Sequence, residues 1–337
     1  MWVGLTDLGR VGTLGDMKIA HLPAVITTLT TFALSPAVFG QGDVPATSPI
    51  PSPGVATREA LERREEGVRA SLEFTGSHAF RTDLSDGPGE VAVTQAGSAL
   101  SLGYNLGQNL ILSGVIGADM YWYNFNNASG IIPGAVDPVN QFEQLFIRPQ
   151  LIYAAPGSQY AYILGGQGTY SGESGSDFSD SLTGNIFGAV QYRVNDSFNF
   201  TVGVGVSTRL EDSLSVIPIV GFEWKISEQT TLATRGIGLR FTQGIADGLR
   251  FVADGEYQIR EFRLGEDAPQ SGGAFRDKNI PVMAGVVWSP SKNIDVTFRA
   301  GAVVWQEFEV YNKGSNKISD NSVDVAPMVS LGLEWSF

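Results

Sequence analysis

The chain has 337 residues, 43% of them hydrophobic, 10% aromatic and only 17% charged, with 41 glycines and no cysteine. Without Cys there is no disulfide, thiolate metal site or thiolate nucleophile, and a formal net charge of −13 does not offer the basic face that nucleic acid demands. Beyond the N-terminal region no run approaches the ~18 apolar residues of a membrane helix, and the charge content is too low for a disordered chain.

In chain order, Met17, Lys18 and His21 lead into the apolar, Thr-rich run Ile19–Leu34, followed by the small residues of Ser35-Pro36-Ala37-Val38-Phe39-Gly40. A basic start, an apolar centre and small residues before a cleavage point read as a secretory signal over residues 1–40, with Met17 the expected initiator. Residues 41–70 read as a periplasmic linker: Pro45, Pro49, Pro51 and Pro53 stiffen its first half, and the charge pattern of Ala56–Ala70 predicts one short exposed helix.

From residue 71 the hydrophobic period is two. Phe198, Phe200, Val202, Val204 and Val206 alternate with Asn199, Thr201, Gly203, Gly205 and Ser207, so one strand face is apolar and the other small and polar. Val216, Val220, Phe222 and Trp224 likewise oppose Gly221 and Glu223; Phe251, Ala253 and Tyr257 oppose Arg250, Asp254, Glu256 and Gln258; Val296 and Phe298 oppose Asp295 and Arg299. Similar alternation covers 71–80, 90–106, 110–122, 142–155, 159–170, 182–194, 237–245 and 279–289. Such strands exceed the ~5–6 residues usual in globular proteins and match the ~9–11 tilted residues that cross a bilayer. Tyr121, Trp122, Tyr123 and Phe125 cluster at one strand end, and Trp224, Trp288, Trp305 and Trp335 lie near others, as in interfacial girdles. The aliphatic face is therefore expected to meet lipid and the charged face to line a lumen.

Short polar turns at 107–108, 156–158, 195–196, 227–228 and 289–292 alternate with longer segments at 81–89, 126–141, 171–181, 265–278 and 311–321. Both termini on the short-turn rim require an even strand number. A hairpin of Thr230–Arg235 and Ile237–Ile245 about Gly236 makes the total fourteen; omitting it makes twelve. The expected fold is all-β: one closed antiparallel up-and-down barrel over 71–337.

The chain ends with Val329, Leu331, Leu333, Trp335 and Phe337 as an alternating apolar row closed by a terminal aromatic. This resembles the closing-strand signal of bacterial outer-membrane β-barrels, and within that class the chain is most similar to the uncharacterised outer-membrane β-barrel families. The resemblance implies an outer-membrane location, lipid as surroundings, and recognition by the barrel-insertion machinery through Leu331, Leu333, Trp335 and Phe337.

Residues fit for catalysis are scarce. His78 is the one histidine beyond the signal, its strand parity is that of Leu72 and Phe74, and an interfacial role outweighs that of a base. No G-x-S-x-G, histidine pair or phosphate loop occurs, and Asp177, Asp180, Asp320 and Asp324 match no calcium-loop spacing. No enzyme activity, cofactor or metal is expected. The carboxylates and arginines read instead as a charged lumen, with Arg250, Arg260 and Arg299 as a ladder opposite Asp254, Glu256, Asp295 and Glu307, and with Glu223 on the same face. About fourteen strands leave a narrow aqueous passage, which predicts a passive channel for small hydrophilic solutes. A non-conducting barrel that anchors the envelope or binds partners through its loops is the alternative.

Overall fold

Residues 68–107, 109–132, 135, 138–211 and 214–337 are described by the computed structural model. The expected signal and nearly all of the linker lie outside them. Of the helix expected to reach Ala70, only Val68–Ala70 is described, and it is already strand.

Every element is β: β1 (Val68–Asp83), β2 (Glu90–Leu106), β3 (Leu110–Asn126), β4 (Gln141–Ala154), β5 (Tyr160–Glu173), β6 (Leu182–Arg193), β7 (Phe198–Ser207), β8 (Ser215–Lys225), β9 (Thr230–Thr234), β10 (Ile237–Ala246), β11 (Leu249–Arg263), β12 (Ala274–Ser291), β13 (Ile294–Tyr311), β14 (Lys317–Val323) and β15 (Ala326–Ser336). From β1 to β14 each pairs antiparallel with its chain neighbour, and β15 pairs with β13 and returns to β1, so the sheet closes. Segments β14 and β15 both lie along β13 and are two halves of one strand, so the barrel has the expected fourteen strands. Closure leaves no open sheet edge at the base.

The outer face is built from the aliphatic parity: Ile116, Leu164, Val204, Val220 and Leu331 are each more than half exposed. A ring of Tyr153, Tyr160, Trp224, Trp288 and Trp335 lies on that face next to the short turns. Lipid-type aliphatic surface bounded by aromatics is the pattern of membrane barrels. The cluster at 121–125 departs from the girdle reading. Trp122 faces outward, but Tyr121, Tyr123 and Phe125 point inward and are 3%, 1% and 6% exposed. Pleat alternation forbids neighbours from sharing a face, so only every second aromatic of that run can belong to a girdle.

Several strands run further than their periodicity shows. β12 begins at Ala274 and β13 continues to Tyr311, so the segments between β11 and β12 and between β13 and β14 shrink to 264–273 and 312–316. The wall opposite is low, with β9 only five residues long and β7 ending at Ser207. Above it β5 bends across to meet β11, with Arg263 paired in parallel to Gly172, and the Ser171 hydroxyl donates to the Glu261 carbonyl at 2.6 Å. At that level β6 to β10 are bypassed, and the other nine strands form a smaller collar.

Candidate functional site: the inner wall and its collar

Contacts between strands far apart in sheet order fix which face is inside. Arg260 on β11 donates to the Gln95 carbonyl oxygen on β2 at 3.4 Å, and the Tyr123 hydroxyl on β3 donates to Asp277 on β12 at 2.8 Å. Only inward side chains can meet across a closed barrel.

The collar is filled. Phe142 stacks on Phe262 with centroids 4.3 Å apart, and Tyr123 lies edge-on to Phe142, Phe275 and Phe308. All four phenylalanines are fully buried, as an interior of about eight or nine strands predicts, since side chains alone fill it. Beneath the rings, Asp277 accepts from Tyr123, Arg260, Asn279 and Gln306 and has no exposed surface. A cavity of about 20 Å³ between Ser77, Gln95, Arg260, Asn279 and Gln306 has room for a single water. The axial route is sealed at this level.

Below the collar the inner wall carries charge. Arg299 donates to both oxygens of Asp254 at 3.0 and 3.2 Å, and Arg240 reaches the same carboxylate at 3.1 Å. Arg235 lies 3.6 Å from Glu256 and 3.7 Å from Asp254. Near the lower rim Arg250 meets Asp295 at 2.7 Å, and the Ser289 hydroxyl donates to the same residue at 2.5 Å. Glu223 occupies the inner face of β8, opposite Asn199 and Ala233.

Two expectations need correction. Arg250 and Arg299 do not face acids across a lumen; each is paired with a carboxylate on the same wall, β10 to β13. Glu307 lies on the outer face. The pairing of β12 with β13 skips one residue between Ile280–Trp305 and Pro281–Val303, leaving Val304 as a bulge. One extra residue turns over the side chains beyond it, so Gln306 and Phe308 point inward while Glu307 and Glu309 point out. Glu309 joins Arg276, which also binds Glu261; all three are buried, and Glu261 accepts from the Leu210 amide of the β7–β8 segment. Arg209 belongs to that segment, since β7 ends at Ser207.

Other candidates resolve into structural contacts. The His78 Nδ1 lies 2.9 Å from the Thr94 hydroxyl on the outer face, so among the described residues no imidazole reaches the lumen. Asp177 accepts from the Ser179 hydroxyl, the Asp180 amide and the Ser179 amide, which together hold its carboxyl below the usual range. Asp320 pairs with Lys317, and Asp324 accepts from Ser85. Among the described residues no group of His, Asp and Glu is arranged to hold a metal.

At the closing strand Leu331, Leu333 and Trp335 share the outer face, 59%, 41% and 49% exposed, and the Phe337 amide donates to the Ala70 carbonyl at 2.9 Å. That bond ties the C-terminus to the first strand at the lower rim.

No protein-family model and no curated protein matches the chain. Solved structures do. The Pseudomonas putida toluene transporter TodX aligns over 82% of this chain and 91% of its own, at 6% identity and a TM-score of 0.44. An outer-membrane channel from P. putida F1 aligns over 81% and 96%, at 9% and 0.44, and the KdgM porin complexed with disordered oligogalacturonate over 79% and 99%, at 9% and 0.33.

Proposed function

We propose that this protein sits in the bacterial outer membrane as a passive channel for small water-soluble solutes. One observation carries the reading: the two faces of the same wall differ in kind. Outside are aliphatics with an aromatic ring at the lower rim; inside are Arg240, Arg250, Asp254, Glu256, Asp295 and Arg299. Charge on the inner face of a barrel has water, not hydrocarbon, as its natural neighbour, and a wetted charged bore is what ion and solute passage requires. Such a protein needs no catalytic group, cofactor or metal. Delivery to the membrane would use the secretory signal of residues 1–40 and the outward row Leu331, Leu333, Trp335 and Phe337 as the insertion signal.

The aromatic seal of the collar favours a second reading, in which the barrel does not conduct and serves as an envelope anchor or displays its loops to a partner. Full-length protein in a planar bilayer separates the two. Discrete current steps are the expected result. Complete insertion with no current at any voltage rejects the channel and leaves the anchor.

A further inference from the structure

We propose that the bore below the collar carries a binding site for small zwitterions, of which free α-amino acids are the simplest, between Arg148 on β4 and Glu73 on β1. This goes beyond the channel reading, because binding here requires a wetted lower bore and not an open collar.

Arg148 is the anomaly from which the site is built. The inward arginines of β10, β11 and β13 are paired: Arg240 and Arg299 with Asp254, Arg250 with Asp295 and Arg260 with Asp277. Arg148 has no ion pair or hydrogen bond among the described residues, and its Nε is shut off from solvent without an acceptor. The charges of Asp119, Glu73 and Glu256 reach it, but none of them pairs with it. Its guanidinium lies instead on the Phe146 ring, 4.0 Å from the centroid. That shelf depends on Gly117, because a Cβ there would collide with the ring. A flat cation with one face on a ring keeps its N–H edge for a planar carboxylate, which it can hold by two parallel hydrogen bonds. Drawn partly out of water and unpaired, the guanidinium is unfavourable until such a partner arrives.

Glu73 is the complementary anomaly. It shares the inward parity of Ser77, is exposed all the same, and has no ion pair among the described residues, so water reaches the bore at its level. Its neighbour across the β1–β15 pair is Glu334, and Glu334 in turn stands opposite Asp295. Like charges directly opposite repel, and a cation between them relieves the repulsion. Register brings the two anomalies to one row: Glu73 pairs with Ala99, Ala99 with Gly117, and Gly117 with the Phe146 on which Arg148 rests. Ala99 and Gly117 send almost no side chain into the bore. Three strand spacings, about 14 Å along the wall, separate β1 from β4. The two charged arms reach in from either side and leave a gap of molecular size over this flat floor. A singly charged solute answers one end and leaves the other as it was. A zwitterion answers both, with its carboxylate on Arg148 and its ammonium on Glu73 and Glu334.

Saturation-transfer NMR on the full-length protein in detergent micelles measures Kd for alanine, propionate and ethylamine, which are close in size and differ in charge. Alanine should bind saturably. Propionate, which lacks the ammonium, and ethylamine, which lacks the carboxylate, should each bind about tenfold more weakly or worse, the worth of one charge-assisted contact. Arg148→Gln and Glu73→Gln should each weaken alanine by the same factor, while Glu228→Gln, in a short turn, should change it by less than about twofold. Heat-modifiable gel mobility checks that each variant is folded, and the comparison of the probes on the wild type needs no variant. Propionate as tight as alanine reduces the site to Arg148 alone, ethylamine as tight reduces it to the carboxylates, and either overturns the zwitterion. A preference for alanine that survives both substitutions overturns the placement. Folded wild type that binds no alanine overturns the site, while current in a planar bilayer decides the channel separately.

Discussion

Asp277 shows how much one inward carboxylate holds. It is fully buried and accepts from Tyr123 at 2.8 Å, Gln306 at 2.9 Å, Asn279 at 3.0 Å and Arg260 at 3.3 Å. A charge without exposed surface is tolerable only when its oxygens are satisfied, and its removal strands the guanidinium beside it. Asp277→Ala should therefore cost about 3–5 kcal/mol, whereas Tyr123→Phe, which removes one donor, should cost about 1–3 kcal/mol. Urea unfolding in detergent micelles, followed by tryptophan fluorescence, reads both; equal losses would mean that Asp277 is a spectator. Sequence alone did not find this residue. In Ala274–Asn279 polar groups occupy both parities, with Arg276 and Lys278 on one face and Asp277 and Asn279 on the other, so no alternation marks a strand and the stretch reads as loop. Arg250, Asp254, Glu256 and Arg299 were legible because their outer neighbours carry no charge and are mostly apolar, which is the contrast that period-two reading detects.

At the scale of elements, the short hairpin β9–β10 turns on Gly236, whose φ of +54° lies in the left-handed region. The Arg235 amide donates to the Gly238 carbonyl at 3.0 Å and closes the turn. A β-branched residue there meets a steric cost of about 1–2 kcal/mol, while Asn tolerates the conformation. Gly236→Val should lower the temperature at which the folded band disappears on heated gels, and Gly236→Asn should leave it close to wild type. Glycine at this turn and the alternation on either side gave the hairpin, and with it the even strand number. Strand lengths above the hairpin were less legible. The bulge at Val304 has no sequence signature, since an extra residue in one strand is defined only by its partner in β12. The collar was hidden for a related reason: Tyr121, Tyr123, Phe142, Phe262, Phe275 and Phe308 come from five strands and become a seal only when the wall flattens.

For the whole molecule, the inner wall is a set of local ion pairs, and its field is the sum of what they leave over. Around Asp254 and Glu256, the three guanidinium groups of Arg235, Arg240 and Arg299 exceed the two carboxylates. If current passes this wall, replacing Arg250 and Arg299 by Gln should move the reversal potential in a salt gradient toward cation preference, with assembly intact. An unchanged reversal potential would place the conducting path elsewhere. Such fixed charges act strongly where the bore is narrow and the surrounding dielectric low.

The two tiers also obey a parity rule. In a ring of strictly up-and-down strands, an even number lets every neighbour run opposite, as the fourteen at the base do. The five bypassed strands are an odd number, so the nine that remain cannot alternate all the way round: somewhere two must run the same way. That place is Arg263 beside Gly172, where β5 and β11 both ascend. Parallel pairing has slanted, slightly weaker hydrogen bonds, and here it is a single residue pair in length. Counting alone thus locates the seam of the upper ring. It falls where Arg263 also pairs with Glu211, so a side-chain ion pair braces the ring at the place where its backbone ladder is weakest.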